Sequence, residues 1–137
     1  MVPAVTDRDL VHAYYDAFNR GDWDAMCAML ADDVAHDLNQ GGREVGRAAF
    51  AAFLARMARC YRERLEDLVI LAAPGHPGRF AAEWTVHGEY LSADDGLPPA
   101  RGQRYVLPGG AFFALRGGAI ARVSNFYNLP AWLEQVR

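Results

Sequence analysis

The feature that most constrains this chain is a change of period near Arg64. Before it, apolar residues recur every three or four positions; after it they alternate or run in short Leu, Val and Ile blocks until a last short helical stretch. Helices first and strands afterwards leave no alternating βαβ signal, so the sheet grows by hairpins and the fold class is α+β. No linker-like stretch, repeat or low-complexity segment divides residues 1–137, which read as one domain, and a hydrophobic fraction of 52% can fill a single core.

The helical half is well punctuated. Thr6-Asp7-Arg8-Asp9 is a capping box, and Leu10, Val11, Tyr14 and Phe18 form one stripe that Gly21 ends. Asp22 caps a second, short helix with Trp23, Met26, Cys27 and Leu30 at helical spacing. A strand over Asp33–Asn39 and a Gly41-Gly42 turn follow. Gly46 then precedes the longest helix, whose face is Phe50, Phe53, Leu54, Met57 and Tyr61.

In the second half, Leu65–Ala72 and Phe80–Leu91 flank the turn Pro74–Gly78 as a hairpin, and Ser92–Gly102 is a surface loop. Gln103–Leu107 and Ala111–Arg116 read as one strand interrupted at Pro108-Gly109-Gly110, which implies a bulge or an edge. Gly117-Gly118 turns the chain into Ala119–Asn128, and Pro130 opens a terminal helix.

Net charge is −3 and all 14 basic residues are arginine, so no basic footprint for nucleic acid exists; Arg56, Arg59, Arg62 and Arg64 read as a solvated flank. Cys27 and Cys60 fit no metal or redox spacing and read as small hydrophobes, and no histidine–carboxylate spacing suggests a metal site. Met1–Val5 lacks a basic, apolar leader pattern and no run reaches membrane-spanning length, so a cytoplasmic location without membrane contact is expected.

The chemistry concentrates where the second helix gives way to the first strand. Alternation puts Ala35, Asp37 and Asn39 on one face and Val34, His36 and Leu38 on the other. If the first of these faces looks into a cavity, Asp37 is a candidate proton carrier. His36 then points the other way, which disfavours a direct His–Asp dyad. In Phe80–Leu91, Trp84 and Val86 fall on the apolar face, while Glu83, Thr85, His87 and Glu89 face solvent or a partner subunit.

Tyr14-Tyr15-Asp16-Ala17-Phe18-Asn19-Arg20-Gly21-Asp22, Leu30-Ala31-Asp32-Asp33-Val34 and Gly118-Ala119-Ile120-Ala121-Arg122-Val123 make the chain resemble the nuclear transport factor 2-like (NTF2-like) superfamily, in its SnoaL-like, ketosteroid isomerase-related branch. The resemblance implies a cone-shaped fold in which a curved antiparallel sheet is closed by three N-terminal helices around a pocket. It matches Asp37 to the family's proton-abstracting carboxylate and Tyr14 to its oxyanion-stabilising phenol. The position of the family's second oxyanion donor falls on Ala111, and no carboxylate occurs from Gln103 to Leu115. The helix-three tyrosine of some members is matched by Leu54. The same alignment points Trp84, Val123, Asn125 and Tyr127 into the pocket, and Phe53 and Asn39 complete the expected substrate-binding set.

The expected activity is therefore cofactor-independent proton abstraction next to the carbonyl of a small, partly apolar molecule. It would give isomerisation, dehydration or aldol-type cyclisation, with Asp37 as base and no metal required. The alternative is a non-catalytic ligand-binding or assembly domain, since one fold hosts many functions. The resemblance also implies a homodimer through the outer face of the sheet.

Overall fold

Caps and glycines delimit the helices in the computed structural model, which describes residues 6–137; the reading of Met1–Val5 concerns residues outside that range. The elements are α1 (Asp7–Asn19), α2 (Trp23–Ala28), β1 (Leu30–Asp37), β2 (Arg43–Val45), α3 (Arg47–Cys60), β3 (Tyr61–Ala72), β4 (Arg79–Tyr90), β5 (Gln103–Arg116), β6 (Ala119–Tyr127) and α4 (Leu129–Val136). Thr6 accepts from the Asp9 amide at 3.1 Å while the Asp9 carboxylate accepts from the Thr6 amide at 3.3 Å, closing the capping box. Asp22 caps α2 and Asn128 caps α4, each through an amide three residues on. Gly46, at φ +102°, makes the turn from β2 into α3 that a side chain would strain.

The six strands form one sheet in the order β2-β1-β6-β5-β4-β3. All neighbours are antiparallel except β1 and β6, which run parallel. The expected all-antiparallel sheet is corrected at this one pair. The chain leaves β1 and returns to it only after β2, α3 and three further strands, a connection long enough to bring β6 back in the same direction. Boundaries differ as well: β1 runs from Leu30 to Asp37 rather than Asp33 to Asn39, and β3 begins at Tyr61 rather than Leu65; the three-residue β2 is too short to show a period.

Local irregularities keep the apolar residues inward. Leu65 and Ile70 are both buried although they are five apart, which a regular strand would forbid; a bulge between Glu66 and Val69, with Asp67 at φ +54°, resets the alternation. Pro108 does not interrupt β5. Pairing with β6 begins only at Gly109, so Pro108 has β4 on one side alone, the edge position that proline tolerates. Along β5, Gln103, Tyr105, Leu107, Ala111 and Phe113 are buried. Tyr14 and Tyr15 of α1 meet Phe113 edge-on, with ring centroids 5.5 and 5.7 Å away.

The Asn19 side chain ties α1 to the sheet. Its Nδ2 donates to the Leu65 carbonyl at 3.0 Å and its Oδ1 accepts from the Leu65 amide at 2.8 Å, so the amide acts as one residue of an extra strand beside β3. The concave side of the sheet and the helices enclose a cavity.

Candidate functional site

The cavity measures about 860 Å³, within the range of small-molecule sites. Its wall is largely aromatic, from Tyr14, Tyr15, Phe50, Phe53, Trp84 and Trp132, with polar groups at a few points. Two glycines shape it. A Cβ on Gly109 would stand 2.9 Å from Trp84 Nε1, and one on Gly88 would stand 2.2 Å from the Tyr105 ring. Each bare glycine is the register partner of the aromatic residue that lies across it, Trp84 over Gly109 and Tyr105 over Gly88.

β1 and the residue that follows it present Val34, His36 and Leu38 inward. Val34 and His36 are buried, and His36 and Leu38 line the cavity. The alternation expected from the sequence holds, but the opposite face looks in. Asp37, expected on the face that looks into the cavity, is not on the cavity wall. Its partners explain the orientation: Arg43, opposite it in the β1–β2 register, binds it with two nitrogens at 2.6 and 3.1 Å, and Ser124 Oγ donates at 2.6 Å. The hydrogen bonds of Arg43 and Ser124 hold the Asp37 carboxyl down to about 2. Turning it inward would strip those partners from a charge, whereas Val34 and Leu38 gain by burial.

His36 is 1% exposed, its ring between Phe50 and Phe53 with both centroids at 4.6 Å. Asn125 Nδ2 lies 3.1 Å from His36 Nε2, a geometry in which the amide donates to an Nε2 lone pair and the ring proton sits on Nδ1. Burial lowers the affinity of the imidazole for a further proton, and the nearby carboxylates of Glu44 and Asp37 oppose that shift. Glu44 is the register partner of His36 on β2, and His36 Nδ1 and Glu44 Oε1 are both buried without a hydrogen-bond partner among the described residues.

Tyr14, Trp84, Phe53, Asn39, Asn125 and Tyr127 all line the cavity. Val123 is fully buried but is not on the cavity wall. Burial pushes the Tyr14 phenol up, so it is a hydrogen-bond donor and not an anion. Asn39 and Gln40 form a polar corner with Tyr127: Asn39 Oδ1 accepts from the Tyr127 amide at 2.8 Å, and Gln40 Nε2 donates to the Tyr127 hydroxyl at 2.8 Å.

Several lining groups escaped the sequence reading. Tyr15, beside the expected Tyr14, is 3% exposed, and its hydroxyl has no partner among the described residues. Glu63 is on the wall as well, accepting from Tyr105. The Ser92–Gly102 loop is part of the wall through Asp94 and Leu97, anchored by Tyr61 and Tyr90: the Tyr61 hydroxyl donates to Asp94 at 2.8 Å, and the Tyr90 hydroxyl donates to the Pro98 carbonyl at 2.7 Å. The signal for Glu63 was the alternation Tyr61, Glu63, Leu65 on one face, visible only if the strand starts at Tyr61 rather than after Arg64.

A curved mixed sheet with helices on its concave side and an aromatic-lined cavity between them defines an NTF2-like fold. The profile of the SnoaL-like domain family matches residues 11–123, and the chain belongs to that family. It is 57% identical to a candidate polyketide cyclase from Pseudomonas putida, covering 98% of this chain and 100% of that one with a TM-score of 0.94. A candidate polyketide cyclase from Xanthomonas campestris is 60% identical over 96% of this chain and 100% of its own, with a TM-score of 0.89. An NTF2-like protein of unknown function from Burkholderia pseudomallei, 17% identical over 95% of this chain and 96% of its own, shares the fold with a TM-score of 0.78. No curated protein gave a significant sequence match. The family and its relatives indicate a small-molecule function of the isomerase or cyclase type. No helix among the described residues is long and apolar enough to cross a membrane.

Proposed function

We propose that this protein is a cofactor-independent enzyme in which His36, not Asp37, takes a proton from a carbon next to a carbonyl of an uncharged, partly apolar molecule. The observation that carries this reading is the orientation of β1, which turns His36 to the cavity and Asp37 to Arg43 and Ser124. A carboxylate held at about 2 is a poor base at neutral pH, whereas a neutral imidazole offers a lone pair.

The base has the usual supports. Asn125 Nδ2 holds the Nε2 lone pair in the free protein and has to turn to the substrate before Nε2 takes a proton, and an approach of Glu44 to Nδ1–H would stabilise the imidazolium as it forms. Tyr14 donates to the enolate oxygen, and Trp84, Phe53, Asn39, Asn125 and Tyr127 orient the substrate, with Val123 as backing. The substrate is uncharged because the two arginines on the wall are already paired, Arg56 with Asp94 at 3.5 Å and Arg62 with Glu89 at 3.9 Å. The relatives described as candidate polyketide cyclases support cyclisation as the outcome of enolate formation.

Deuterium exchange into a panel of cyclic ketones tests the assignment. Wild type and Asp37→Asn are expected to exchange alike, and His36→Asn to lose about 100-fold or more. Loss in Asp37→Asn with retention in His36→Asn would return the base to Asp37. No exchange by wild type would leave the binding or assembly reading.

A further inference from the structure

We propose that Glu63 is the general acid of the same reaction, giving its proton to an oxygen of the substrate remote from the carbon that His36 deprotonates. This rests on the reading of His36 as base.

Three strands build the position. Glu63 of β3, Gly88 of β4 and Tyr105 of β5 are consecutive partners across the sheet. Gly88 carries no side chain in the row where a Cβ would meet the Tyr105 ring at 2.2–2.4 Å and its hydroxyl at 2.5 Å. The phenol therefore crosses β4 and donates to Glu63 Oε2 at 2.5 Å. Among the described residues Oε1 has no hydrogen-bond partner, and Glu63 is on the cavity wall.

The charges around it favour the acid form. Arg62 and Arg64, its chain neighbours, are exposed and pair with Glu89 and Glu66. On the cavity side Glu63 meets the phenols of Tyr61, Tyr105 and Tyr127 and the carboxylate of Asp94, and the cations on the wall, Arg56 and Arg62, are paired with Asp94 and Glu89. Burial pushes the Glu63 carboxyl up against the opposing pull of the Tyr105 hydrogen bond. In the acid form, with Oε2 taken by the Tyr105 hydroxyl, the proton sits on Oε1.

β1 and β3 are separated by β6, β5 and β4, about 19 Å along the sheet before curvature, so the two groups serve different ends of a substrate. The chemistry that fits is the vinylogous form of that proton abstraction, in an uncharged conjugated ketone whose γ C–H, made acidic by the carbonyl through the intervening C=C bond, faces His36 while the carbonyl oxygen faces Glu63. The C–H bond breaks, its proton goes to His36 Nε2, and its electron pair shifts through the framework. The π pair of the far carbonyl moves to oxygen, which takes the Glu63 proton. The product is the enol, with imidazolium at His36 and carboxylate at Glu63, and transfer of one proton through water resets both.

Two measurements on the full chain decide it, with a bicyclic α,β-unsaturated ketone (octalone), deuterated at the γ-carbon, as probe. Isotope-edited infrared spectra at neutral pH are expected to show a protonated-carboxyl band that Glu63→Gln removes and octalone shifts. Washout of γ-deuterium is expected to fall about tenfold or more in Glu63→Gln. Absence of the band, a band that octalone does not move, or unchanged washout in Glu63→Gln would each overturn the role of Glu63. Failure of the His36 reading looks different: equal washout by wild type and His36→Asn, with the Glu63 band still moving.

Discussion

His36 and Asp37 differ in position by one residue and in surroundings completely. Asp37 accepts from Arg43 and Ser124, and its pKa falls to about 2, below the ordinary aspartate value near 3.8. A carboxyl depressed in the folded state adds stability above its unfolded pKa, and that contribution is lost as pH falls through the folded value. Asp37→Asn is therefore expected to be less stable than wild type at neutral pH, with the difference closing between about pH 4 and pH 2. Urea denaturation at a series of pH values measures this, and a constant difference down to pH 2 would contradict it. The sequence shows the residues of this pair six apart across Gly41-Gly42, but their pairing depends on β2, which is three residues long and carries no period.

At the scale of elements, the helices were the most legible part. Thr6, Asp22 and Gly46 mark helix starts by local chemistry that needs nothing from the rest of the chain. The strands were legible as strands, but their faces and neighbours were not, because the bulge in β3 and the parallel pairing of β1 with β6 depend on contacts distant in sequence. Asn19 illustrates the gap: it reads as a helix end, yet its amide closes two hydrogen bonds with Leu65 across 46 positions. Asn19→Ala leaves the buried Leu65 backbone groups without those partners and is expected to cost about 1–3 kcal/mol. Asn19→Asp keeps only the acceptor and is expected to fall between. Thermal or chemical denaturation distinguishes them, and an Ala variant as stable as wild type would show that water replaces the clamp.

For the whole molecule, the outer face of the sheet is the conspicuous open surface. Val106, Phe112 and Phe126 are each about half exposed, and the two phenylalanine rings stack edge-on at 5.7 Å. Leu71 and Val69 extend the apolar strip, and Glu83, Thr85 and His87 alternate with the cavity-facing residues of β4 on the same side. We propose that a second copy covers this face, as the family resemblance implies. Light scattering after size exclusion is expected to give twice the 15.1 kDa chain mass, and Phe112→Glu with Phe126→Glu is expected to return the single-chain mass. A single-chain mass for wild type would reject the dimer.

The sequence alone determined the α+β order, the helix caps, the aromatic supply for a cavity and the family, because these rest on local periodicity and short strings. It singled out Asp37 as the candidate base and put its neighbour His36 on the opposite face. Which of the two enters the cavity was decided only by tertiary structure: β1 has two alternating faces, and the pairing of Asp37 with Arg43 and Ser124 on one side settles that His36 occupies the other. Glu63 and Tyr105 are 42 positions apart and become one unit only when Gly88 lies between them in the sheet, a juxtaposition that no spacing along the chain encodes.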